Sequence, residues 1–215
     1  MLRKEFSGMP FSPYALQKLL DHYQFGSVLD VGCGSGEHSE IFSRYNKSVT
    51  AIDFGHSPYF RNNKSKINTI VGDFNFYSFD RSFDCIWCSH ILEHQLNINI
   101  FLKKIFLLLN DNGVLAITVP PLKHEVVGGH LSLWNAGLLL YNLVLAGFNC
   151  RNASILTYRY NISVIVKKNE ALLPEDLSFD NGDIRKIKPF LPDGIEYVLG
   201  TNDDWFDGRI RKINW

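Results

Sequence analysis

Residues 28–36, VLDVGCGSG, decide how the rest of this chain is read. The stretch completes a short apolar run, SVLDV, of the kind that forms a buried strand. It then turns on Gly32, Gly34 and Gly36 and passes into EHSEIFSRY, which has helical character. Glycine has no Cβ, so such a turn lets backbone N–H groups approach a bound molecule closely. A strand, a glycine turn and a helix together form the opening unit of a sheet that carries a ligand at its strand ends.

Outward from this unit the pattern repeats. Residues 12–23, SPYALQKLLDHY, predict a helix with a Ser cap, Pro in the first turn and leucines at helical spacing. SVTAID (48–53), INTIVGD (67–73), FDCIWCS (83–89) and GVLAITVP (113–120) predict buried strands. INIFLKKIFLLL (98–109) predicts an amphipathic helix stopped by NDNG, and residues 131–148 a long helix. Segments 153–159 and 161–167 predict a closing antiparallel pair. Strands alternating with helices imply an α/β fold: a doubly wound, mostly parallel seven-stranded sheet covered on both faces. In such a sheet a ligand sits at the carboxyl ends of the strands, where strand order reverses. Residues 1–169 are expected to form this domain, and residues 170–215 an irregular extension packed on it.

Composition narrows the function. The chain has 215 residues, 46% hydrophobic and 20% charged, as in an ordinary globular protein. Lys plus Arg equals Asp plus Glu, so no overall field draws it to nucleic acid or anionic membranes. MLRKEFSGMP has no apolar signal core, and AGLLLYNLVLAGF (136–148) is too short to span a bilayer. Four Cys do not resemble a disulfide framework, so reduced thiols and a cytosolic location are expected.

Acids mark the strand ends. Asp30 closes the first strand, Asp53 the second and Asp73 the third. Dinucleotide-binding chains carry G-x-G-x-x-G at the first turn, whereas the spacing here is G-x-G-x-G. A carboxylate beside that turn repels a pyrophosphate and attracts a cation. Acids around one ligand suit a cationic nucleoside, and S-adenosylmethionine is one. VLDVGCGSG, AIDF, VGDF and FDCIWCSHILEH resemble, in order and near spacing, the first four motifs of the class I S-adenosylmethionine-dependent methyltransferases. The resemblance covers roughly residues 25–120. It implies that Gly32, Cys33 and Gly34 line the methionine part of the cofactor, with Asp30 behind them. It further implies that Asp53 binds the ribose, Phe54 packs on adenine, and Asp73 with the Phe74 backbone reads the adenine edge. Ser89 and His90 then border the sulfonium methyl. A nicotinamide-dependent oxidoreductase and a catalytically silent cofactor-binding subunit are the alternatives.

CSHILEHQ (88–95) invites a different reading, because H-x-x-E-H on a helix, with His90 and His94 on one face, is also a zinc-hydrolase pattern and Cys85-x-x-Cys88 lies just upstream. Residues three apart on a strand face opposite sides, so the cysteines are expected in the core and no metal is expected. Methyl transfer to an alcohol needs a base. His130, His94 and His124 are the candidates, His130 and His124 in the loop VPPLKHEVVGGHLSLWNAG (119–137), with Trp134 as an aromatic wall. That loop also carries Gly128-Gly129, which would suit a lid hinge. CSHI stands where methyltransferases acting on nucleic-acid amino groups or glutamine carry Asn-Pro-Pro-aromatic, which favours a hydroxyl-type small acceptor. The segment from Pro120 to Cys150 also resembles methyltransferases of bacterial surface glycans, so a sugar of capsule or lipopolysaccharide assembly is the expected acceptor. No nucleic-acid partner is expected, and a homodimer is left open.

Overall fold

In the computed structural model, residues 1–180, 182–200 and 204–215 are described. Strand β1 (Ser27–Val31) is buried from Val28 onward, and the sheet grows from it in both directions. It pairs in parallel with β2 (Ser48–Asp53) on one side and with β4 (Phe83–Ser89) on the other. Beyond β2 lies β3 (Thr69–Val71), and beyond β4 lies β5 (Leu109–Val119), both parallel to their neighbours. Strands β6 (Ser154–Tyr158) and β7 (Asn161–Lys167) then run antiparallel beside β5. With Lys212–Ile213 as the outermost strand, β10, the order is β10-β6-β7-β5-β4-β1-β2-β3, so strand order reverses between the parallel neighbours β1 and β4.

Helices cover both faces. Leu16 and Leu19 of α1 (Pro13–His22), with Ile41 and Phe42 of α2 (Glu37–Arg44), pack on Val28, Cys85, Trp87 and Val114. Phe101, Leu102 and Ile105 of α4 (Ile98–Leu108), with Leu139, Leu140 and Leu143 of α5 (Ala136–Leu145), pack on Leu29, Ile86, Cys88 and Leu115. Cys85 and Cys88 thus belong to cores on opposite faces, and both are free thiols, as strand periodicity predicts. A short helix, α3 (Pro58–Arg61), follows β2, capped by Ser57 Oγ accepting from the Phe60 N–H.

The structure departs from expectation in three places. The helix expected over 131–148 begins only at Ala136, because the Asn135 side chain caps it by accepting from Leu138 N–H. Residues 90–95 form no helical face: His90 adopts φ 55 and only Leu92–His94 make a 3-10 turn. The sheet has eight strands rather than seven, because Lys212–Ile213 of the tail form β10 and pair antiparallel with β6. The tail also holds α6 (Asp183–Ile187) and an antiparallel pair, β8 (Tyr197–Leu199) with β9 (Asp204–Phe206). Ile187, Leu191, Ile195 and Ile210 join the larger core cluster, so this segment is more regular and better packed than its composition predicts. Among the described residues, no helix is long and apolar enough to cross a membrane.

Candidate active site

The reversal of strand order between β1 and β4 opens a crevice at their carboxyl ends, and the glycine turn lies at its mouth. Gly32 and Gly34 have φ of 73 and 51, a region that costs most residues free energy and glycine almost none. A Cβ on Gly32 would lie 2.8 Å from Ile91 Cδ1, so the turn between β1 and α2 and the segment after β4 meet with no room for a side chain. That close approach builds a cradle of backbone.

Two acids stand under the cradle. Asp30 is 1% exposed and accepts from Ser39 Oγ at 2.6 Å. Burial pushes its carboxyl up to about 7; the Ser39 hydrogen bond opposes this and the Asp53 charge adds to it. Asp53 accepts from the Gly34 N–H at 2.9 Å through one oxygen and from the Gly55 N–H at 2.8 Å through the other. Each oxygen keeps a second lone-pair direction for a ligand hydroxyl. Burial also pushes the Cys33 thiol up to about 12, so it is no nucleophile at neutral pH.

The other expected cofactor residues fall nearby. Phe54 follows Asp53 and is 60% exposed, its ring edge-on to His56 at 4.9 Å. Asp73 follows β3 and accepts from Asn75 N–H at 2.8 Å, which fixes the turn there. The Phe74 side chain is buried against Phe101, their ring centroids 5.0 Å apart. Ser89 ends β4, with its hydroxyl 2.6 Å from that of Ser12.

His90 is the most constrained group at the crevice. Its N–H donates to Thr118 O, continuing the β4–β5 ladder past Ser89. Its ring lies 4.6 Å from that of Phe11 and stacks at 6.0 Å with Tyr160. Asn161 Oδ1 already accepts from Ser12 N–H, and Asn161 Nδ2 donates to Pro10 O. The amide orientation is therefore fixed by backbone, and His90 Nε2, 3.0 Å from Asn161 Oδ1, must be the donor. Its Nδ1 then faces Glu93 Oε1 at 3.3 Å. His38 supports the arrangement from behind: Trp87 Nε1–H donates to its Nδ1 and its Nε2 reaches Phe11 O. Burial depresses His38 to about 4 and keeps it neutral.

Two of the three candidate bases come together. His94 and His130 rings are 5.0 Å apart, edge to face, although they are far apart in sequence. The loop after β5 is clamped to the segment after β4 by Leu131 N–H donating to Glu93 O and by His94 Nδ1 donating to Gly129 O. The loop ends are closed where Leu122 N–H meets Trp134 O. Burial lowers the His130 pKa and so favours its neutral form, and the Glu93 charge opposes this. His124 is exposed, and among the described residues nothing hydrogen-bonds to it. Trp134 is no aromatic wall: it is 1% exposed and packed in the larger core, because residues 131–135 are extended rather than helical.

A glycine cradle over buried acids, at the reversal point of a parallel sheet, defines the Rossmann-like class of adenosyl-binding proteins. Comparison narrows it. A family model described as a methyltransferase domain matches residues 11–145, more than half of the chain, and the chain belongs to that family. A ubiquinone biosynthesis O-methyltransferase of Rickettsia canadensis is 28% identical over 200 residues, covering 88% of this chain and 75% of that one. Against other Rickettsia proteins of that name the match spans about half the length of each.

Two solved structures share the fold. One is a Burkholderia thailandensis 1,6-didemethyltoxoflavin-N1-methyltransferase with bound 1,6-didemethyltoxoflavin and S-adenosylhomocysteine. It superposes with a TM-score of 0.60 at 18% identity, over 73% of this chain and 77% of that one. The other is an S-adenosylmethionine-dependent methyltransferase of Archaeoglobus fulgidus, with a TM-score of 0.61 at 16% identity over 72% and 92%. The chain is an S-adenosylmethionine-dependent methyltransferase.

Proposed function

We propose that this enzyme methylates a hydroxyl oxygen of a small acceptor. In the step, an oxygen lone pair forms the O–CH₃ bond while the C–S bond breaks and its electrons pass to sulfur. The sulfonium becomes the neutral thioether of S-adenosylhomocysteine, and the hydroxyl proton must leave. Because the sulfonium already activates the methyl, the chain has mainly to align the reactants, exclude water and accept that proton. The observation that carries this reading is the group Glu93–His94–His130, a carboxylate and two imidazoles whose ligand atoms lie within 4.8 Å of one another.

In this reading Gly32, Cys33 and Gly34 hold the methionine part and Asp30 balances its charge. Asp53 binds the ribose hydroxyls, Phe54 covers adenine, and Asp73 with the Phe74 backbone faces the adenine edge. Ser89 and His90 border the methyl group. His130 takes the proton, and His94 serves beside it.

The acceptor is polar at its reacting hydroxyl and apolar elsewhere, because the loop that bears His130 exposes Leu122, Val126, Leu131 and Leu133. The relatives' name, ubiquinone biosynthesis O-methyltransferase, supports an oxygen acceptor in that biosynthesis. A sugar on a surface-glycan intermediate is the second reading, favoured by the exposed Trp205 indole on β9, a ready stacking face. Incubation with the cofactor and both kinds of acceptor, followed by mass spectrometry, tests the proposal. Gain of one CH₂ on oxygen supports it; transfer only to nitrogen or sulfur overturns it.

A further inference from the structure

Glu93 presents an imbalance of charge and hydrogen bonding. It is 1% exposed, and neither carboxylate oxygen has a hydrogen-bond partner among the described residues. A buried carboxylate left this way costs several kcal/mol, in round terms, unless something positive compensates it. Around it stand His90 Nδ1 at 3.3 Å, His94 Nε2 at 3.9 Å and His130.

The tautomer of His94 sharpens the point. Gly129 O can only accept, so His94 Nδ1, 2.7 Å away, carries the hydrogen. The neutral ring therefore turns the lone pair of Nε2 toward the Glu93 carboxylate. A lone pair and a carboxylate facing each other repel; a cation between them makes both favourable. An imidazole that donates its second N–H to a backbone carbonyl is also the usual arrangement of a metal-bound histidine.

From this geometry we infer that Glu93, His94 and His130 form a binding site for a first-row divalent cation of the Zn²⁺ or Mn²⁺ type. Ligands about 2.0–2.2 Å from one ion lie at most about 4.3 Å apart. At tetrahedral angles the separation is about 3.4 Å, and the Glu93–His94 separation of 3.9 Å lies within about 0.5 Å of it. All three ligand atoms lie within 4.8 Å of one another, so small side-chain shifts bring them onto one ion. Two imidazoles and one carboxylate favour first-row transition cations and Zn²⁺ over Mg²⁺ or Ca²⁺. Three protein ligands leave open positions, as catalytic sites require, and His94, 40% exposed, opens the site to solvent. The spacing of His90 and His94 in the sequence does not reveal this group. The ligands come instead from two segments that meet only in the fold.

The site's use rests on the proposed O-methylation; its existence does not. A bound cation would hold the acceptor hydroxyl and lower its pKa; with the ion in place His130 would be a ligand and the proton would pass to solvent water, and with the site empty His130 is the base of the proposed step.

The full chain, stripped with chelator, is titrated with Mn²⁺ alone, followed by electron paramagnetic resonance, and with Zn²⁺ alone by calorimetry. A single saturable ion per chain is expected. Glu93→Gln and His130→Ala should each weaken it by at least about ten-fold while S-adenosylmethionine still binds, which shows that the variants fold. Absence of saturable binding, or binding indifferent to both substitutions, overturns the site. Full methyl transfer after chelation overturns the ion's part in the reaction and leaves the O-methylation standing. Mn²⁺ binding without methylation of any hydroxyl supports the site and removes the proposed function.

Discussion

The carboxylate of Asp53 accepts a hydrogen bond from the backbone N–H of Gly34, so the end of β2 fixes the shape of the turn after β1. Asp53→Ala should therefore act twice, by removing the acceptor for the ribose hydroxyls and by freeing the turn. Each hydrogen bond to a charged group contributes about 1.5–3 kcal/mol, or roughly a 10- to 150-fold change in affinity. Calorimetric titration with S-adenosylmethionine checks this, and unchanged affinity would refute the strand-end assignment.

Asp30 should make cofactor binding depend on pH. Its folded-state pKa of about 7 lies above the unfolded value near 4. Its stability contribution is thus full below about pH 4 and is lost as pH rises through about 7. A sulfonium and an ammonium nearby favour the ionised form, so binding should release a proton and tighten between about pH 6 and 8. Affinity measured across that range should rise for the natural chain and stay flat for Asp30→Asn.

His130→Ala should lower turnover by about 10² or more with cofactor affinity near normal. His124→Ala, at an exposed position clear of the Glu93 group, should leave turnover within about two-fold, as expected of a surface change. Steady-state kinetics on the two variants, with cofactor titrations beside them, separate the cases. Equal losses in both would move the reacting centre along the loop.

Asp84 is a structural acid that no motif reveals. Its carboxylate accepts from Gly26 N–H, Ser27 N–H, Ser27 Oγ and Asn110 Nδ2. These bonds tie the starts of β1 and β4 to the head of β5 and hold its pKa down to about 2. Its stability contribution is present above about pH 4 and lost as pH falls through about 2. Asp84→Ala should cost about 2–3 kcal/mol, read from urea denaturation at neutral pH. The difference from the natural chain should shrink near pH 2.

What the sequence revealed follows from range. β1, β2, β4 and the glycine turn were legible because apolar runs and local spacing determine them. The cysteines were legible for the same reason, since period two alone puts Cys85 and Cys88 on opposite faces. The onset of α5 was misplaced because Leu131, Trp134 and Leu138 fall at helical spacing, whereas Asn135 starts the helix. Trp134 was misread with it. The meeting of His94 with His130 was not legible, since it depends on backbone bonds from Leu131 and Gly129 across a loop with no periodicity. Asn161, Phe11 and Tyr160, which constrain His90, carry no motif at all.

The two residues of β10 have a consequence beyond the methyl-transfer site. They occupy the outer rim of β6, where unpaired peptide groups would otherwise invite strands from other molecules. The Asn214 carbonyl adds an anchor by accepting from Ser154 Oγ. Removing residues 210–215 should therefore leave the catalytic crevice intact yet convert a well-behaved chain into one that self-associates.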